Sequence, residues 1–584
     1  MNSKSSYSKP ELLSPAGSPA ALTAALRGGA DAVYLGGTLF NARMNAHNFD
    51  DDALRAAVDA CHKSGARLYV TLNTLLYDRE LDRALRYAAF LYEIGADALI
   101  VADLGLAALL RRYLPDLPLH ASTQVSGHNA AAAQTLARQG FSRMVCAREL
   151  SRENIKALTA ASPIGIEMFV HGAMCVCHSG QCLFSAMVGG RSGNRGLCAQ
   201  PCRMKYQNRY PLSLKDMCLA AHITDILQSG VESLKIEGRM KSPDYVYGVT
   251  RVWRMLLDDE RCADAKEMQY LSALFSRSGF SDGYYTHNIS QSMLGIRSEE
   301  DKAASRRLPT LPGLKAPLPH RESLPARIPQ PIDIPDEATM RKLLLPRQKT
   351  QRTQKPVTPQ HTARFFRASQ IPDGSFFDIR YLPLDAFAGG KANGVILPPV
   401  IMEDETDTVR TKLARAIDSG ATHILLTNLS QQALFAPLFA QTGVTLHGDF
   451  RLNVCNRQAL ALCDNLASVL VSPELSAPQI RDLDGRKGLI VYGRIPLMLL
   501  EKRVGEEKLR DRTGAIFPIL HGDRDEIVNS IPTYLCDKPA LLRTCGAVEH
   551  HWLFTVESRQ EILAVIRASE GGKPLPGAVR RIQA

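Results

Sequence analysis

Four cysteines lie close together in the first half of the chain, and their side chains could bind a soft metal. They fall in the segments EMFVHGAMCVCHSGQC and NRGLCAQPC, where six, fifteen and three residues separate Cys175, Cys182, Cys198 and Cys202. Nothing in the sequence indicates secretion, so a disulfide framework is not expected. Four thiolates match the ligand count of an iron–sulfur cluster or a structural zinc. The sequence therefore predicts a metal centre, with reduced, unpaired thiols as the alternative.

The spacing of the four cysteines favours an iron–sulfur cluster, because zinc ribbons pair their cysteines in hooks with two-residue gaps. Zinc is the second choice. Cys177 and His178 lie in the same loop, and either could replace one ligand. The other cysteines are scattered and are expected to be small core residues: Cys61, Cys146, Cys218, Cys262, Cys455, Cys463, Cys536 and Cys545.

The segment SLKIEGR carries the charged side chains that we predict to be catalytic, namely Lys235, Glu237 and Arg239. Strand side chains alternate with period two, which places Lys235 and Glu237 on one side. Arg239 follows Gly238, where a glycine lets the backbone turn towards a ligand. Lys235 and Arg239 could clamp a carboxylate or phosphate. The alternative is an internal salt-bridge network with Glu237.

Further polar residues lie within or at the ends of predicted strands. The strand LHASTQ places His120, Ser122 and Gln124 on one face, where they could line a cavity, although a buried structural role is equally open for His120. His171 ends a strand beside the cysteines and could donate a hydrogen bond to a cluster sulfur or to substrate, so we count it as catalytic. Asn73, His120 and Gln124 are predicted to bind substrate, and Tyr34 is a weaker candidate.

Strands alternate with helices through the first 260 residues. Short strands rich in Val and Ile, each followed by a helix, predict parallel pairing with both faces covered. Eight such units predict an α/β fold with a closed TIM-like (β/α)8 barrel, and an open doubly wound sheet is the main alternative. The predicted strands span 11–15, 32–36, 67–72, 98–103, 119–124, 143–147, 166–171 and 233–238.

The chain divides into three predicted parts. Residues 1–295 form the barrel with the cysteine loop at 172–202, and 296–360 form a flexible, basic, Pro-rich linker. Residues 361–584 repeat the barrel in degenerate form, since GATHILLTNL parallels GADALIVADL and the order of further echoes is kept. LRDR (509–512) echoes LKDM (214–217), which predicts that the second copy lacks the long cysteine loop. We expect the second copy to have a binding, orienting or stabilising role.

Composition limits the classes of function. Lysine and arginine total 70 against 59 acidic residues, and the net charge of +11 favours a polyanionic partner such as RNA. The N-terminus has no apolar signal segment, and no window suggests a membrane span, so a cytoplasmic location is expected. No nucleotide-binding glycine loop, HExxH or GxSxG motif is present.

The sequence resembles the peptidase U32 family over residues 9–290. The stretch from Glu167 to Cys182 is similar to the family's characteristic segment, and ELLSPAGS, GADAVYLGG, KIEGRMKSPDYV and FSRSGFSDGYY are similar to its recurrent blocks. The two-part architecture resembles the branch that hydroxylates a 23S rRNA cytidine. By this resemblance the four cysteines would hold a [4Fe–4S] cluster, with Cys202 the least secure ligand because some relatives take the fourth ligand elsewhere.

The resemblance implies hydroxylation of a pyrimidine in rRNA or tRNA without molecular oxygen, with prephenate as a candidate cosubstrate and an electron-donor protein as a candidate partner. The family name implies a collagenase-like protease instead, although no Ser–His or Cys–His pair stands out. A third hypothesis is a non-catalytic iron–sulfur accessory protein. The sequence leaves the oligomeric state open.

Overall fold

Eight parallel strands form a closed barrel in the first half of a computed structural model, which describes residues 9–577 apart from 45, 309–310, 312–314, 316, 319, 326–328 and 345–357. Strand β9 pairs with both β1 and β7, which closes the barrel, so the predicted (β/α)8 fold is confirmed. A short β8 and β10 extend the sheet beyond β7. The strands are β1 Glu11–Pro15, β2 Ala32–Leu35, β3 Arg67–Leu72, β4 Ala98–Val101, β5 Leu119–Ala121, β6 Arg143–Val145, β7 Gly165–Gly172, β8 Asp216–Cys218, β9 Ser233–Ile236 and β10 Phe280–Ser281.

Helices cover the outside of the barrel and begin at polar caps. Ser18 accepts a hydrogen bond from the Ala21 amide and precedes Pro19, the favoured residue for a first helical position. Asp50, Asp103 and similar residues cap later helices. The α-helices are α1 Pro19–Gly28, α2 Asp51–Lys63, α3 Asp78–Glu93, α4 Leu104–Tyr113, α5 Ala130–Arg138, α6 Arg152–Ala161, α7 Phe184–Gly189, α8 Ile223–Leu227, α9 Pro243–Asp258 and α10 Ala265–Leu274.

The described part of the predicted linker 296–360 differs from a structureless tether. It contains α11 Glu299–Arg306 and α12 Glu337–Leu344, and Met340 and Leu344 are buried in the core of the first barrel. Arg86 on α3 donates a hydrogen bond to the Pro335 carbonyl at 2.8 Å. A few apolar residues among the charges are therefore enough to hold these parts of the segment against the barrel.

The second half contains another closed barrel of eight parallel strands, as the sequence echo predicts. Strand β23 pairs with β11 and β17, in the way that β9 closes the first barrel. Its strands are β11 Gln360–Phe365, β12 Ile379–Pro383, β13 Gly394–Ile396, β14 His423–Leu426, β15 Thr445–Gly448, β16 Val469–Leu470, β17 Lys487–Gly493 and β23 Glu549–Phe554. Its helices are α13 Thr406–Asp418, α14 Gln431–Leu434, α15 Ala436–Thr442, α16 Arg457–Ala461, α17 Ala477–Asp482, α18 Pro539–Cys545 and α19 Arg559–Glu570.

The segment that follows the seventh strand of the second barrel is longer than the match between LRDR and LKDM implied. Strand β8 pairs antiparallel with β7 in the first barrel, and β22 (Thr533–Tyr534) pairs antiparallel with β17 in the second. The true counterpart of LKDM is therefore the segment around β22 rather than LRDR. Residues 494–532 lie between β17 and β22, contain no cysteine, and form an antiparallel sheet of β18 Pro496–Leu500, β19 Lys508–Arg510, β20 Ile516–His521 and β21 Asp525–Val528. We call this segment the antiparallel insert.

The two barrels meet through loops that follow strands of both. Asn129 caps α5 and donates to the Ile401 carbonyl at 2.8 Å, while Asn456, which caps α16 at the equivalent position, donates to the Leu76 carbonyl at 3.0 Å. Short 3-10 helices occur at Thr123–Val125, Gly193–Arg195, Pro201–Arg203, Ala220–His222, Gln291–Met293, Ala368–Gln370, Leu384–Ala386, Glu403–Glu405 and Phe450–Leu452. None of the helices in the described ranges has the length and apolar character that crossing a membrane requires.

Candidate metal centre and anion pocket

Polar side chains fill the inside of the first barrel in layers. In the lowest layer, Glu11 pairs with Arg143 at 2.7 Å and accepts a hydrogen bond from the Tyr69 hydroxyl at 2.6 Å. In the middle layer, Lys235 donates to Glu167 at 2.7 Å and lies 4.4 Å from the centre of the Tyr34 ring. Lys235 is buried and its charge is offset by Glu167. Lys235 therefore forms an internal salt bridge, which was the alternative interpretation of the sequence. Its partner is Glu167 rather than Glu237.

The uppermost layer lies at the C-terminal end of the strands and is rich in arginine. Glu237 lies 3.5 Å from Arg43 and 3.8 Å from Arg148. The buried Arg239 donates to Thr71 at 2.9 Å and to Asn41 at 2.6 Å. We call Arg43, Arg148, Arg239 and Glu237 the arginine pocket.

Electrostatics give the arginine pocket an excess of positive charge. Burial alone would raise the pKa of Glu237, but Arg43, Arg148 and Arg239 outweigh burial and hold its pKa below the ordinary value. Burial and the charge of Arg43 together lower the pKa of Arg239 to about 10. Three cations therefore surround one carboxylate, and the Nε atoms of Arg148 and Arg239 have no hydrogen-bond partner among the described residues. Such a pocket can bind a small anion.

The predicted cysteine loop 172–202 belongs to the longer segment 173–215 between β7 and β8, which we call the cysteine loop from here on. It lies against the arginine pocket, where Arg148 donates to Ser179 at 3.3 Å, and it is held at several further points. Arg203 donates to the Met174 carbonyl at 2.7 Å and to Ser213 at 3.0 Å, so it joins the two ends of the loop. Arg195 forms a bidentate pair with Glu80 at 2.8 and 2.9 Å. These contacts fix the loop although it contains little regular structure.

Two glycines show how closely the loop approaches the rest of the mouth. Gly180 has φ +81°, and a Cβ there would lie 2.0 Å from the Gln124 carbonyl oxygen. Gly196 has φ +86°, and a Cβ there would lie 2.5 Å from the Asn41 carbonyl oxygen. Both positions combine a left-handed backbone with close packing, so only glycine fits.

The antiparallel insert of the second barrel extends β-pairing to the cysteine loop. His178 donates its amide proton to the Leu499 carbonyl at 3.0 Å, and the Leu183 amide donates to the Leu497 carbonyl at 2.8 Å. The Leu499 amide donates to the Cys177 sulfur at 3.3 Å. The second barrel thus orients the loop, and Cys177 is engaged by this contact and by Cys182.

The four predicted ligand cysteines influence one another electrostatically, as neighbours do. Burial, followed by the charges of Cys202 and Cys182, raises the pKa of Cys175. A hydrogen bond with Cys177, followed by burial, raises the pKa of Cys182, and Cys198 contributes further. Burial raises the pKa of Cys202 to about 11. These thiols are poor free nucleophiles, and binding a metal is the natural way to hold them as thiolates.

The donor set fits an iron–sulfur cluster better than a single zinc ion. Four cysteines and no carboxylate form the set, and Arg43, Arg148 and Arg203 lie close enough to offset the charge of the thiolates. Among the described residues, no three cysteine sulfurs lie within 4.8 Å of one another. A tetrahedral zinc with Zn–S bonds of about 2.3 Å would need sulfurs about 3.8 Å apart.

The His171 ring packs against aromatic side chains near the end of β7. The pairing of β7 with β9 shifts register between Phe169 and His171, and the His171 ring packs 5.3 Å from the ring of Phe280. Burial, aided by Lys241, lowers its pKa to about 3, and neither ring nitrogen has a hydrogen-bond partner in the described chain. Among the described residues no hydrogen bond joins His171 to a cysteine sulfur, and its catalytic role stays a prediction.

The predicted polar row of the fifth strand is divided between two places. Strand β5 ends at Ala121, and Gln124 lies in the 3-10 helix Thr123–Val125, so strict alternation stops before it. His120 packs 4.7 Å from Tyr69 inside the barrel, and burial lowers its pKa well below the ordinary value. Gln124 instead lines a cavity between the barrels that Asn428 and Arg451 also line.

Asn73 and Tyr34 support the mouth through hydrogen bonds. Asn73 accepts from the Ala42 amide at 3.0 Å and lies 3.5 Å from Ser122, so it fixes the backbone next to Arg43. The Tyr34 hydroxyl donates to the Ile236 carbonyl at 2.9 Å. Both contacts are structural in this arrangement.

The sequence did not predict two members of the arginine pocket, Arg43 and Arg148. Both follow C-terminal ends of strands, where side chains reach the mouth of a parallel barrel. Arg148 comes three residues after β6, and this position next to a predicted strand end could have identified it as a residue of the mouth. Arg43 lies in an irregular loop after β2, and only the fold brings it to Glu237.

The fold and site define a (β/α)8-barrel protein with a cysteine loop and an anion pocket at its mouth. The model of a known family, peptidase family U32, matches residues 17–294. Over 299 residues the chain is 36% identical to tRNA hydroxylation protein P of Helicobacter pylori and covers 71% of that protein and 47% of itself. The chain belongs to peptidase family U32.

Other relatives carry names of two kinds. The chain is 43% identical over 259 residues to the 23S rRNA 5-hydroxycytidine C2501 synthase of Escherichia coli, covering 42% of this chain and 39% of that protein. It is 34% identical over 309 residues to a protein of Porphyromonas gingivalis named collagenase, covering 47% of this chain and 73% of that protein. The match covers 64% of tRNA hydroxylation protein P1 of Bacillus subtilis.

Among solved structures, a U32 peptidase is 16% identical with a TM-score of 0.30, and the match covers 41% of this chain and 96% of that one. The chain spans 39% of the length of the Escherichia coli synthase and 64% of the length of the Bacillus subtilis protein, less than two thirds in both cases.

Proposed function

We propose that this protein hydroxylates a pyrimidine base in rRNA or tRNA with the help of a [4Fe–4S] cluster bound by Cys175, Cys182, Cys198 and Cys202. The observation that carries the proposal is the position of the cysteine loop directly over the arginine pocket. Relatives named for rRNA and tRNA hydroxylation support the choice of RNA. The net charge of +11 favours the same partner. An RNA substrate also favours a cytoplasmic location.

The arginine pocket suits a small anionic cosubstrate. Three guanidinium groups and one carboxylate leave the pocket with a net positive charge, in a site that water reaches poorly. Planar guanidinium groups bind carboxylates through two parallel hydrogen bonds. Prephenate, which has two carboxylates, is the candidate cosubstrate. Arg43 is the partly exposed member, with 38% of its side chain accessible, so it is placed to meet an entering ligand first.

The cluster, when bound, supplies electron transfer at the mouth of the barrel, since four protein thiolates leave no iron position for substrate. The residues around it do the binding. Arg239 is held by Thr71 and Asn41 and orients the anion, while Arg148 and Arg43 hold Glu237 ionised beside it. An electron-donor protein is the partner that this role requires.

Proteolysis is the second candidate, because one relative is named collagenase. A cysteine protease needs a thiolate beside a histidine. Burial raises the pKa of Cys175, and His171 has no hydrogen-bond partner in the described residues. The geometry therefore favours metal binding by these thiols over nucleophilic attack.

Replacing one cluster cysteine tests the proposal. In a strain that lacks the gene, we expect one hydroxylated pyrimidine to disappear from rRNA or tRNA and to return with the wild-type gene. Cys175→Ser should not restore it, because the cluster loses a ligand. Mass spectrometry of RNA nucleosides measures the modification, and iron and sulfide analysis of the anaerobically purified protein measures the cluster.

Cys262→Ser is the matched control, since Cys262 is also partly exposed but lies outside the loop. It should keep both iron and the modified nucleoside. An unchanged nucleoside profile in the deletion strain would exclude the RNA assignment. Iron retained at the wild-type level in the Cys175→Ser protein would exclude the ligand assignment.

A further inference from the structure

A second group of potential metal ligands lies beside the cysteine loop, where the two barrels meet. His128 follows β5, Glu149 follows β6, and His178 belongs to the cysteine loop. His178 Nδ1 lies 3.2 Å from His128 Nε2 and 3.7 Å from Glu149 Oε2, and all three ligand atoms lie within 4.8 Å of one another. All three side chains are buried: His128 is 3% exposed, Glu149 is 5% exposed and His178 is 0% exposed.

Hydrogen bonds among the described residues do not satisfy every polar atom of this group. His178 Nε2 lies 3.3 Å from Glu501, and donating its proton to that carboxylate leaves a lone pair on Nδ1, which accepts from His128 Nε2 at 3.2 Å when that nitrogen carries its proton. The Glu149 oxygen that faces Nδ1 has no hydrogen-bond donor among the described residues. A buried carboxyl oxygen without a donor, facing an imidazole nitrogen, is unfavourable unless a proton or a metal cation lies between the two atoms.

We propose that His128 Nε2, His178 Nδ1 and Glu149 Oε2 bind one divalent transition-metal ion of the zinc class, separate from the cysteine-bound cluster. Tetrahedral zinc with bonds of about 2.0–2.1 Å to nitrogen separates its ligand atoms by about 3.3 Å. The 3.2 Å between the two nitrogens meets this value, and the 3.7 Å to Glu149 is close to it. Two imidazoles and a carboxylate are ordinary ligands for such an ion.

The residues behind the ligands belong to the second barrel. Glu501 of the antiparallel insert accepts from His178, and Arg524 holds Glu501 at 2.9 Å and Glu405 at 2.9 Å. A carboxylate on the remote nitrogen of a ligand histidine is the usual outer partner in zinc sites, because it fixes the ring and strengthens the ligand. The ion therefore links the cysteine loop to the second barrel.

The test is metal analysis of the full-length protein, purified without oxygen or chelators from cells grown with zinc. We expect about one zinc per chain beside the cluster iron. X-ray absorption at the zinc edge should show only nitrogen and oxygen neighbours near about 2.0–2.1 Å, whereas sulfur neighbours near about 2.3 Å would overturn the assignment. This measurement needs no variant.

Two variants separate this site from the cluster. His128→Gln should lose the zinc and keep the iron, while Cys175→Ser should lose the iron and keep the zinc. His222→Gln, at a partly buried histidine that pairs with Asp282, is the matched control and should keep both. Zinc retained by His128→Gln, or wild-type protein without zinc even after zinc is added back, would overturn the proposal.

Discussion

Charge and burial assign different tasks to the ionisable residues of the first barrel. Lys235 and Glu167 neutralise each other in the interior, so removing either would chiefly cost stability. Arg43, Arg148 and Arg239 outnumber Glu237 at the mouth, and their excess charge is available to a ligand. At the residue scale, the arginine pocket therefore has an excess charge that could bind an anion, whereas the charge of Lys235 is offset by Glu167.

Arg43→Met tests the arginine pocket. A hydrogen bond to a charged group contributes about 1.5–3 kcal/mol, so affinity for an anionic cosubstrate should fall about tenfold or more. Nucleoside mass spectrometry should show a matching loss of the modified base with iron content unchanged. Arg55→Met is the control, because Arg55 is an exposed arginine on α2 that lies 4.9 Å from the centre of the Phe90 ring and does not belong to the arginine pocket. Equal modification by both variants would contradict the role of Arg43.

At the scale of elements, the antiparallel insert is the part of the second barrel that contacts the cysteine loop. Leu499 donates its amide proton to Cys177 rather than to β21, although its strand pairs with β21 on the other side. A single backbone donor can thus be removed at the contact with the cysteine loop while the insert keeps its own sheet.

Leu499→Pro removes this donor, since proline has no amide proton. We expect the cysteine loop to loosen and the bound cluster to be lost faster in air, by about twofold or more, which the decay of visible absorption measures. Leu499→Ala is the matched control, because it shortens the same side chain and keeps the amide. Identical decay in the two variants would show that the backbone contact does not protect the cluster.

Patterns of strands and helices predicted both barrels, because alternation of short apolar strands with helices is a local property of the sequence. The same reasoning failed for the length of the segment after β17, since LRDR was matched to LKDM. In the structure β8 pairs with β7 and β22 pairs with β17, so β22 is the counterpart of β8. The spacing of the four cysteines shows that they cluster in sequence, and their role as cluster ligands stays a prediction. Arg43 and the His128–Glu149–His178 group could not be predicted from the sequence, because tertiary packing alone brings such distant residues together.

At the scale of the whole molecule, the two barrels are joined by equivalent contacts and by a shared core. Leu497 and Phe517 of the antiparallel insert belong to the same apolar cluster as the first barrel. Asn129 and Asn456 each cap a helix and also donate a hydrogen bond to the other barrel. We therefore expect the intact protein to unfold in one calorimetric transition.

The double variant Asn129→Ser, Asn456→Ser should split that transition into two. Serine caps helices about as well as asparagine, so each helix keeps its cap while the bond across the interface is lost. Each buried carbonyl left without a donor costs about 1–3 kcal/mol, and Asp103 also loses the amide of Asn456 as a partner. Asp264→Ser, at a cap within the first barrel, is the control and should keep one transition. A single transition in the double variant would mean that the shared core, rather than these paired contacts, couples the barrels.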